Sequence, residues 1–148
     1  MPSSPNNYAP PVSREELVKR YIDGERQFPD TDLSEMDLSG IKLDGATFDR
    51  LSWFFNSNFD GASLIGTSFR ECNVKCASFR GANLSGASFE LAAIESIDLE
   101  GANTDGAKFV GATFYGCTVE NDNGPPPSWG HDAKIKPQGL PRPSSSFQ

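Results

Sequence analysis

The sequence predicts an all-β solenoid that is preceded by a short α-helix and followed by a proline-rich tail. Three observations indicate the solenoid. Large apolar residues recur at every fifth position between Phe28 and Glu120, a small residue usually stands two positions before each of them, and a glycine often stands two positions after. Neither the two-residue period of a strand nor the 3.6-residue period of a helix produces this spacing. A short repeat of fixed length is typical of a chain that winds into stacked coils.

Residues 13–27 predict a helix that covers the first coil. Ser13 and Glu16 form a capping-box pair, in which each side chain is expected to accept a hydrogen bond from the backbone N–H of the other residue. Gly24 is expected to end the helix. Met36 and Ile41 are large where the repeat usually has small residues, and we expect them to receive the helix. The apolar face of the helix that would contact them consists of Leu17, Val18, Tyr21 and Ile22, which fall at helical spacing.

The repeat occupies residues 28–120 in two registers that are separated by one extra residue between Phe48 and Phe54. Residues two apart in an extended stretch point to the same side, so each unit directs one large and one small side chain inward. Glycine two positions after the large residue indicates a bend at each corner. Thr104 is the one small member of the large set, which is Phe28, Leu33, Leu38, Leu43 and Phe48, then Phe54, Phe59, Leu64, Phe69, Val74, Phe79, Leu84, Phe89, Ile94, Leu99, Thr104, Phe109, Phe114 and Val119.

The units Ala77–Gly81, Ala82–Gly86 and Ala87–Leu91 resemble the A-(D/N)-L-x-x unit of the pentapeptide-repeat family, and residues 17–28 are similar to the lead-in of its cyanobacterial members. The resemblance implies a right-handed, four-sided β-helix with four units per coil. Phenylalanines that recur at twenty-residue spacing support such coils. Eighteen units then give about four and a half coils, with a core column of Phe28, Phe48, Phe69, Phe89 and Phe109.

The two ends of the chain differ in composition from the repeat. Residues 1–12 are rich in Pro, Ser and Asn, and we expect them to be disordered. Residues 121–148 contain prolines that exclude helix and ladder pairing, so an extended or disordered tail is predicted. The tail is either a linker or a ligand for a proline-binding domain. The far end of the solenoid is closed either by Trp129 or by a second copy of the chain, which would form a homodimer through its C-terminal end.

Charge and composition exclude several classes of function. Twenty acids against 13 bases give a net charge of −7, which argues against nucleic-acid and membrane surfaces as partners. The longest apolar run has four residues, too short to span a membrane, and no secretory signal is visible at Met1 to Pro11. We therefore expect a cytoplasmic protein.

Three cysteines and one histidine leave little material for chemistry. Structural thiols are the main interpretation of Cys72, Cys76 and Cys117, with a disulfide or a metal site as alternatives. The repeat contains no histidine, and a convex rod offers no obvious cleft for paired carboxylates. We expect neither catalysis nor a cofactor or a metal.

Outward-facing residues flank each large residue, and two groups of them stand out. Leu51, Trp53, Phe55 and Tyr115 form a candidate partner patch, because exposed aromatic residues often mark a protein contact. The alternative is that the extra residue makes a bulge that turns Trp53 inward. The second group is a candidate acidic face, which consists of Asp37, Asp60, Asp98, Glu100 and Glu120.

Three hypotheses for function follow. The first is a non-catalytic scaffold or interaction module that presents a rigid faceted surface to a protein partner. The second comes from the resemblance, since some family members mimic DNA and occupy DNA gyrase, and carboxylates stacked along a rod could imitate phosphates. The third is a structural rod that assembles with itself through its open end.

Overall fold

A computed structural model describes residues 8–124 and 126–128. Along the chain it contains helix α1 (Arg14–Ile22), a long series of parallel bridges, and the short strands β1 (Thr113–Phe114) and β2 (Cys117–Thr118). Of the segments predicted to be disordered or extended, 1–12 and 121–148, residues 1–7, 125 and 129–148 lie outside the described residues, and so does the predicted closing role of Trp129.

Helix α1 begins where the sequence indicates. Ser13 Oγ accepts a hydrogen bond from the backbone N–H of Glu16 at 3.0 Å. The reciprocal half of the predicted capping box is wrong, because the Glu16 carboxylate accepts from the N–H of Val12 at 3.1 Å instead of that of Ser13. Gly24 follows the helix with φ +104°, a value that residues with a Cβ rarely adopt.

The apolar face of α1 only partly matches the prediction. Leu17 is fully buried, and Val18 and Tyr21 are half-buried against the core, together with Met36. Ile22 was expected on this face but is 75% exposed. The reason is helical geometry, since at about 100° per residue Ile22 lies about 140° around the helix from the buried Leu17 and so falls at the edge of the apolar face.

Parallel bridges join residues 20 or 21 apart, and they form four ladders that we call sides 1 to 4 in chain order. Each ladder residue except Asn103, which precedes Thr104, directly precedes a large inward residue, so all four sides enclose one core. Side 1 consists of Gln27, Thr47, Ser68, Ser88 and Lys108; side 2 of Asp32, Trp53, Asn73, Ala93 and Thr113; side 3 of Asp37, Asn58, Ser78 and Asp98; and side 4 of Lys42, Ser63, Asn83 and Asn103.

The extra residue before Phe54 is absorbed at a corner and leaves the ladders intact. Arg50 and Leu51 both adopt positive φ, at 65° and 64°, where the other corners before β1 have one such residue. Trp53 then pairs with Asp32 below it and Asn73 above it. The bulge that would turn Trp53 inward does not form, because the corner accommodates the insertion.

The interior contains the predicted column of phenylalanines. Phe28, Phe48, Phe69, Phe89 and Phe109 are at most 3% exposed, and successive ring centroids lie 5.1 to 5.6 Å apart in stacked geometry. Neighbouring columns meet this one edge to face, as Phe79 meets Phe89 at 5.4 Å. Burying each such side chain stabilises the fold by about 1.5–3 kcal/mol.

The polar atoms of small inward residues donate hydrogen bonds to backbone carbonyls of the preceding coil. Ser57 Oγ donates to Leu33 O at 2.6 Å and Thr67 Oγ1 donates to Leu43 O at 2.7 Å. Cys72 Sγ donates to Phe48 O at 3.0 Å. A polar side chain can therefore stand in the dry interior without the cost of an unmade hydrogen bond.

Helix α1 closes the N-terminal edge of the solenoid by donating to its free carbonyls. Within the stack, carbonyls at the corresponding positions accept backbone N–H groups from the coil below. In the first coil Arg14 Nη1 donates to Asp37 O at 3.2 Å and to Ser39 O at 2.8 Å, while Tyr21 OH donates to Asp44 O at 2.8 Å. Side chains of the helix thus replace the missing coil.

The C-terminal edge is closed differently. The sequence predicts parallel winding up to Val119, but β2 instead pairs antiparallel with β1, and Val119 donates its N–H to Ala112 O at 2.9 Å. Farther along, Asp122 Oδ1 accepts from Phe109 N and Ser128 Oγ accepts from Leu99 N, both at 2.7 Å. Part of this edge stays open, since the N–H groups of Thr104 and Gly106 on side 4 have no partner among the described residues, and the same holds for those of Ser96 and Gly101.

Candidate functional site

Outward residues are held in place by local hydrogen bonds that the repeat itself provides. An Asn or Asp in a ladder position accepts from the backbone N–H two residues later, as Asn58 does from Asp60 and Asn73 does from Lys75. This Asx turn explains why the unit favours Asn or Asp directly before its large residue. The outward residues therefore project from a rigid frame.

The candidate partner patch forms in part. Leu51 is 71% exposed, Trp53 49% and Phe55 38%. Trp53 and Phe55 are two residues apart on side 2, and both rings point outward, while Leu51 stands at the corner beside them. These three exposed apolar residues lie within five positions of one another on the second coil.

Tyr115 is exposed but is separated from this patch. It lies in the same outward column as Phe55, and Lys75 and Glu95 stand between the two rings. Lys75 Nζ lies 3.2 Å from Glu95 Oε1, and the backbone N–H of Tyr115 donates to Glu95 Oε2 at 2.6 Å. This N–H, together with Lys75, holds the pKa of Glu95 below its usual range. We therefore define the side 2 patch as Leu51, Trp53 and Phe55.

Two further exposed apolar residues on the same flank were not singled out from the sequence. Leu91 and Val110 meet at the corner between sides 1 and 2, where Leu91 N donates to Val110 O at 3.1 Å. The Leu91 side chain covers Gly111, whose added Cβ would come within 2.5 Å of Leu91 Cδ2. The signal was present in the sequence, because Leu91 occupies a corner position at which most units have glycine or a polar residue.

The candidate acidic face does not form as predicted. Asp98 is buried, with its carboxylate 3.5 Å from Arg80 Nε and accepting from Glu100 N at 3.0 Å. Glu100 pairs with the same guanidinium. Asp60 accepts from Ser78 Oγ and from the backbone of Arg80.

Of the two remaining members of that face, Asp37 is hydrogen-bonded and Glu120 lies on another part of the surface. Asp37 accepts from the N–H and hydroxyl of Ser39, and these bonds lower its pKa. Glu120 follows Val119, which contacts the corner at Gly111 and not side 3, because the chain reverses at β2. The carboxylates of side 3 mainly join one coil to the next.

The cysteines occupy three different environments. Cys72 is buried in the core, and burial raises the pKa of its thiol to about 12. Cys76 is exposed at a corner, and Cys117 is half-buried in β2. No helix among the described residues is both long and apolar enough to cross a membrane.

Comparisons with known proteins concern the repeat and its fold. The profile of the family described as Pentapeptide repeats matches residues 54–90 with eight copies. The solved structure of alr5209, a pentapeptide repeat protein from Nostoc Pcc 7120, is 26% identical, with a TM-score of 0.53 over 72% of this chain and 84% of that chain.

Two other solved structures are also similar in sequence. A pentapeptide repeat protein from the Arabidopsis thaliana thylakoid lumen is 30% identical over 57% of this chain and 68% of that one, with a TM-score of 0.42. QnrB1, a plasmid-mediated fluoroquinolone resistance protein, is 25% identical over 63% of this chain and 54% of that one, with a TM-score of 0.34. A search of curated proteins gave no match.

Proposed function

This chain belongs to the pentapeptide-repeat family, and we propose that it is a non-catalytic interaction module whose protein partner binds the side 2 patch. The family is generally non-catalytic. The observation that supports the proposal is the outward projection of Trp53 and Phe55 from an unbroken ladder. Large aromatic residues in such positions lose little side-chain entropy on binding, and they are enriched at protein interfaces.

The backbone that carries the patch is held rigidly. Trp53 is bonded through its backbone to Thr31 O at 2.7 Å, and its carbonyl accepts from Leu33 N at 2.9 Å. The patch is therefore organised before the partner arrives, so that binding costs little ordering of the backbone. A cytoplasmic location, in which cysteines stay reduced, is part of the same proposal.

The test is quantitative affinity capture from the native host with wild-type protein and with the double variant Trp53→Ser/Phe55→Ser. Neither residue belongs to the core, so we expect unchanged circular dichroism and loss of the specific partner. Ile65→Ser is the matched control, because Ile65 is 42% exposed on side 4. Recovery of the same partners by the folded double variant would remove the proposal.

The DNA-mimic alternative receives less support from the geometry. Asp60, Asp98 and Glu100 are engaged by Ser78, Arg80 or backbone N–H groups, so they do not form a row of free negative charge. A gyrase supercoiling assay distinguishes the two functions. We expect neither inhibition nor protection of the enzyme by this chain, and either effect would favour the alternative.

Self-assembly through the C-terminal end rests on a different observation. The N–H groups of Thr104 and Gly106 are unpaired within the described residues, and the inward side chains of Ala102, Thr104 and Ala107 are only half-buried. Sedimentation velocity over a range of concentrations tests this alternative. A concentration-dependent dimer would support it, and a monomer at all concentrations would not.

A further inference from the structure

A groove of about 530 Å³ runs between helix α1 and the first coil. Apolar side chains line its length, and Gly40 leaves space on its floor. Ile41 is buried at the base and Ile22 is 75% exposed at the rim. The groove is lined by Arg14, Val18, Tyr21, Ile22, Arg26, Gly40, Ile41 and Lys42.

The charged residues of this lining are all basic, in a protein whose net charge is −7. Arg14 donates to two backbone carbonyls of side 3. Arg26 donates to Tyr21 O and Glu25 O and stacks on the Tyr21 ring at 3.7 Å. Within the described part of the chain neither guanidinium forms an ion pair, whereas Lys42 pairs with Asp44; the charge of Arg14 helps to lower the pKa of the Asp37 carboxyl nearby.

We propose that this groove binds an acidic peptide segment of a partner protein, which inserts one large apolar side chain between Ile22 and Ile41 and directs carboxylates toward Arg14 and Arg26. Guanidinium groups that already hold carbonyls retain donors for a carboxylate. The apolar walls and the basic rim together fit an amphipathic acidic segment.

Charge argues against the two ends of this chain and against a nucleic acid as occupants. Residues 129–148 contain one acid, Asp132, against Lys134, Lys136 and Arg142, so this segment would be repelled by the rim. Residues 1–7 contain no acidic side chain. A nucleic acid would require more than two unpaired cations on a protein of this net charge. The groove is separate from the side 2 patch, so a negative result for one proposed binding surface does not affect the proposal for the other.

The test is selection of 12-residue peptides from a random phage-displayed library on the immobilised full chain, followed by affinity measurement of the enriched peptides. We expect peptides that carry at least two acids beside a Leu, Ile or Phe, with affinity that falls as salt is raised. Enrichment of neutral or basic peptides, or of none, would overturn the proposal.

Variants locate the binding. Ile22→Ser removes an exposed side chain outside the core and should weaken the enriched peptides about tenfold, while Arg26→Gln should weaken them about threefold. Ile65→Ser and Arg50→Gln are matched controls on other surfaces and should change the affinity less than about twofold. Equal binding to wild type and to the folded Ile22→Ser variant would place the peptide elsewhere and refute the proposal. Retained binding by Trp53→Ser/Phe55→Ser is expected, because that patch is separate.

Discussion

Two of the four corners of this solenoid are turned by glycine and two by residues with side chains. Sides 3 and 4 lead into glycine corners throughout, whereas as far as Ser96 the corners after sides 1 and 2 are non-glycine residues in the same left-handed conformation, with φ between 56° and 65°; Gly111 and Gly116 take these places in the last turn. The glycine corners are Gly40, Gly61, Gly81 and Gly101, and Gly45, Gly66, Gly86 and Gly106. The others are Asp30, Arg50, Leu51, Glu71 and Leu91, and Glu35, Asn56, Cys76 and Ser96.

The two kinds of corner also differ in the exposed apolar side chains that lie near them. A non-glycine residue in this conformation costs about 1–2 kcal/mol, yet the corners after sides 1 and 2 carry it repeatedly. Nine large apolar side chains are exposed in the described part of the chain, and six of them lie on side 2 or at its two corners. These six are Leu51, Trp53, Phe55, Leu91, Val110 and Tyr115. Exposed apolar surface is therefore concentrated on and beside the corners whose left-handed residues carry side chains, and Leu51 and Leu91 are themselves such corner residues.

The largest expected effect contrasts a corner thiol with a core thiol. Cys76 stands at an exposed corner, whereas Cys72 is buried and its thiol pKa is raised to about 12. In a Cys117→Ser background at pH 8, a thiol reagent should modify Cys76 at least about a thousandfold faster than Cys72, since Cys72 requires unfolding. Mass spectrometry of partly labelled protein measures the ratio. Similar rates would mean that the core opens locally.

The second prediction tests whether one core supports all corners. Phe89 stacks on Phe69 at 5.2 Å and on Phe109 at 5.1 Å, and it meets Phe79 of side 3 edge to face. Phe89→Ala should lower the free energy of unfolding by about 3–5 kcal/mol through the cavity it leaves. Chemical denaturation measures the loss, with Ser88→Ala as the surface control. Equal losses for the two variants would argue against a continuous column.

The third prediction exchanges glycine and non-glycine residues at the corners and measures the change in stability. An added Cβ at Gly81 meets nothing within 4 Å, so Gly81→Ala isolates the cost of φ +67° and should destabilise the fold by about 1 kcal/mol. Glu71→Gly relieves the same strain at φ 62° and should be neutral to stabilising by up to about 1 kcal/mol. Glu71→Ala, which keeps a Cβ, is the control. Destabilisation by both glycine and alanine at position 71 would show that the Glu71 side chain matters more than the strain.

The smallest expected effect concerns the electrostatic pair on side 2. The folded-state pKa of Glu95 is lowered, so its contribution is complete above the unfolded-state value near 4.5 and is lost as pH falls through the folded-state pKa. Glu95→Gln should therefore reduce stability modestly at pH 7 and leave it unchanged at pH 2. Melting temperatures at the two pH values test this. A difference that persists at pH 2 would assign the effect to packing.

The sequence by itself determined the interior. Large and small inward residues stand two apart in a five-residue period, and every unit packs its inward side chains in the same way. The column of phenylalanines could therefore be predicted from the order of residues alone. Glycine marked half of the corners, and the insertion before Phe54 was visible as a shift in register.

Only the tertiary structure decided which outward side chains are free. Asp98 is engaged by Arg80 from the preceding coil, Ile22 is exposed at the edge of the helix face, and Glu120 is not on side 3 because β2 reverses the chain. Each outcome depends on residues about twenty positions away or on the way an end of the stack is closed. The repeat cannot determine these outcomes, because it is the same in every coil and constrains only the inward positions. Whether an outward side chain is free depends on which residues lie next to it in space.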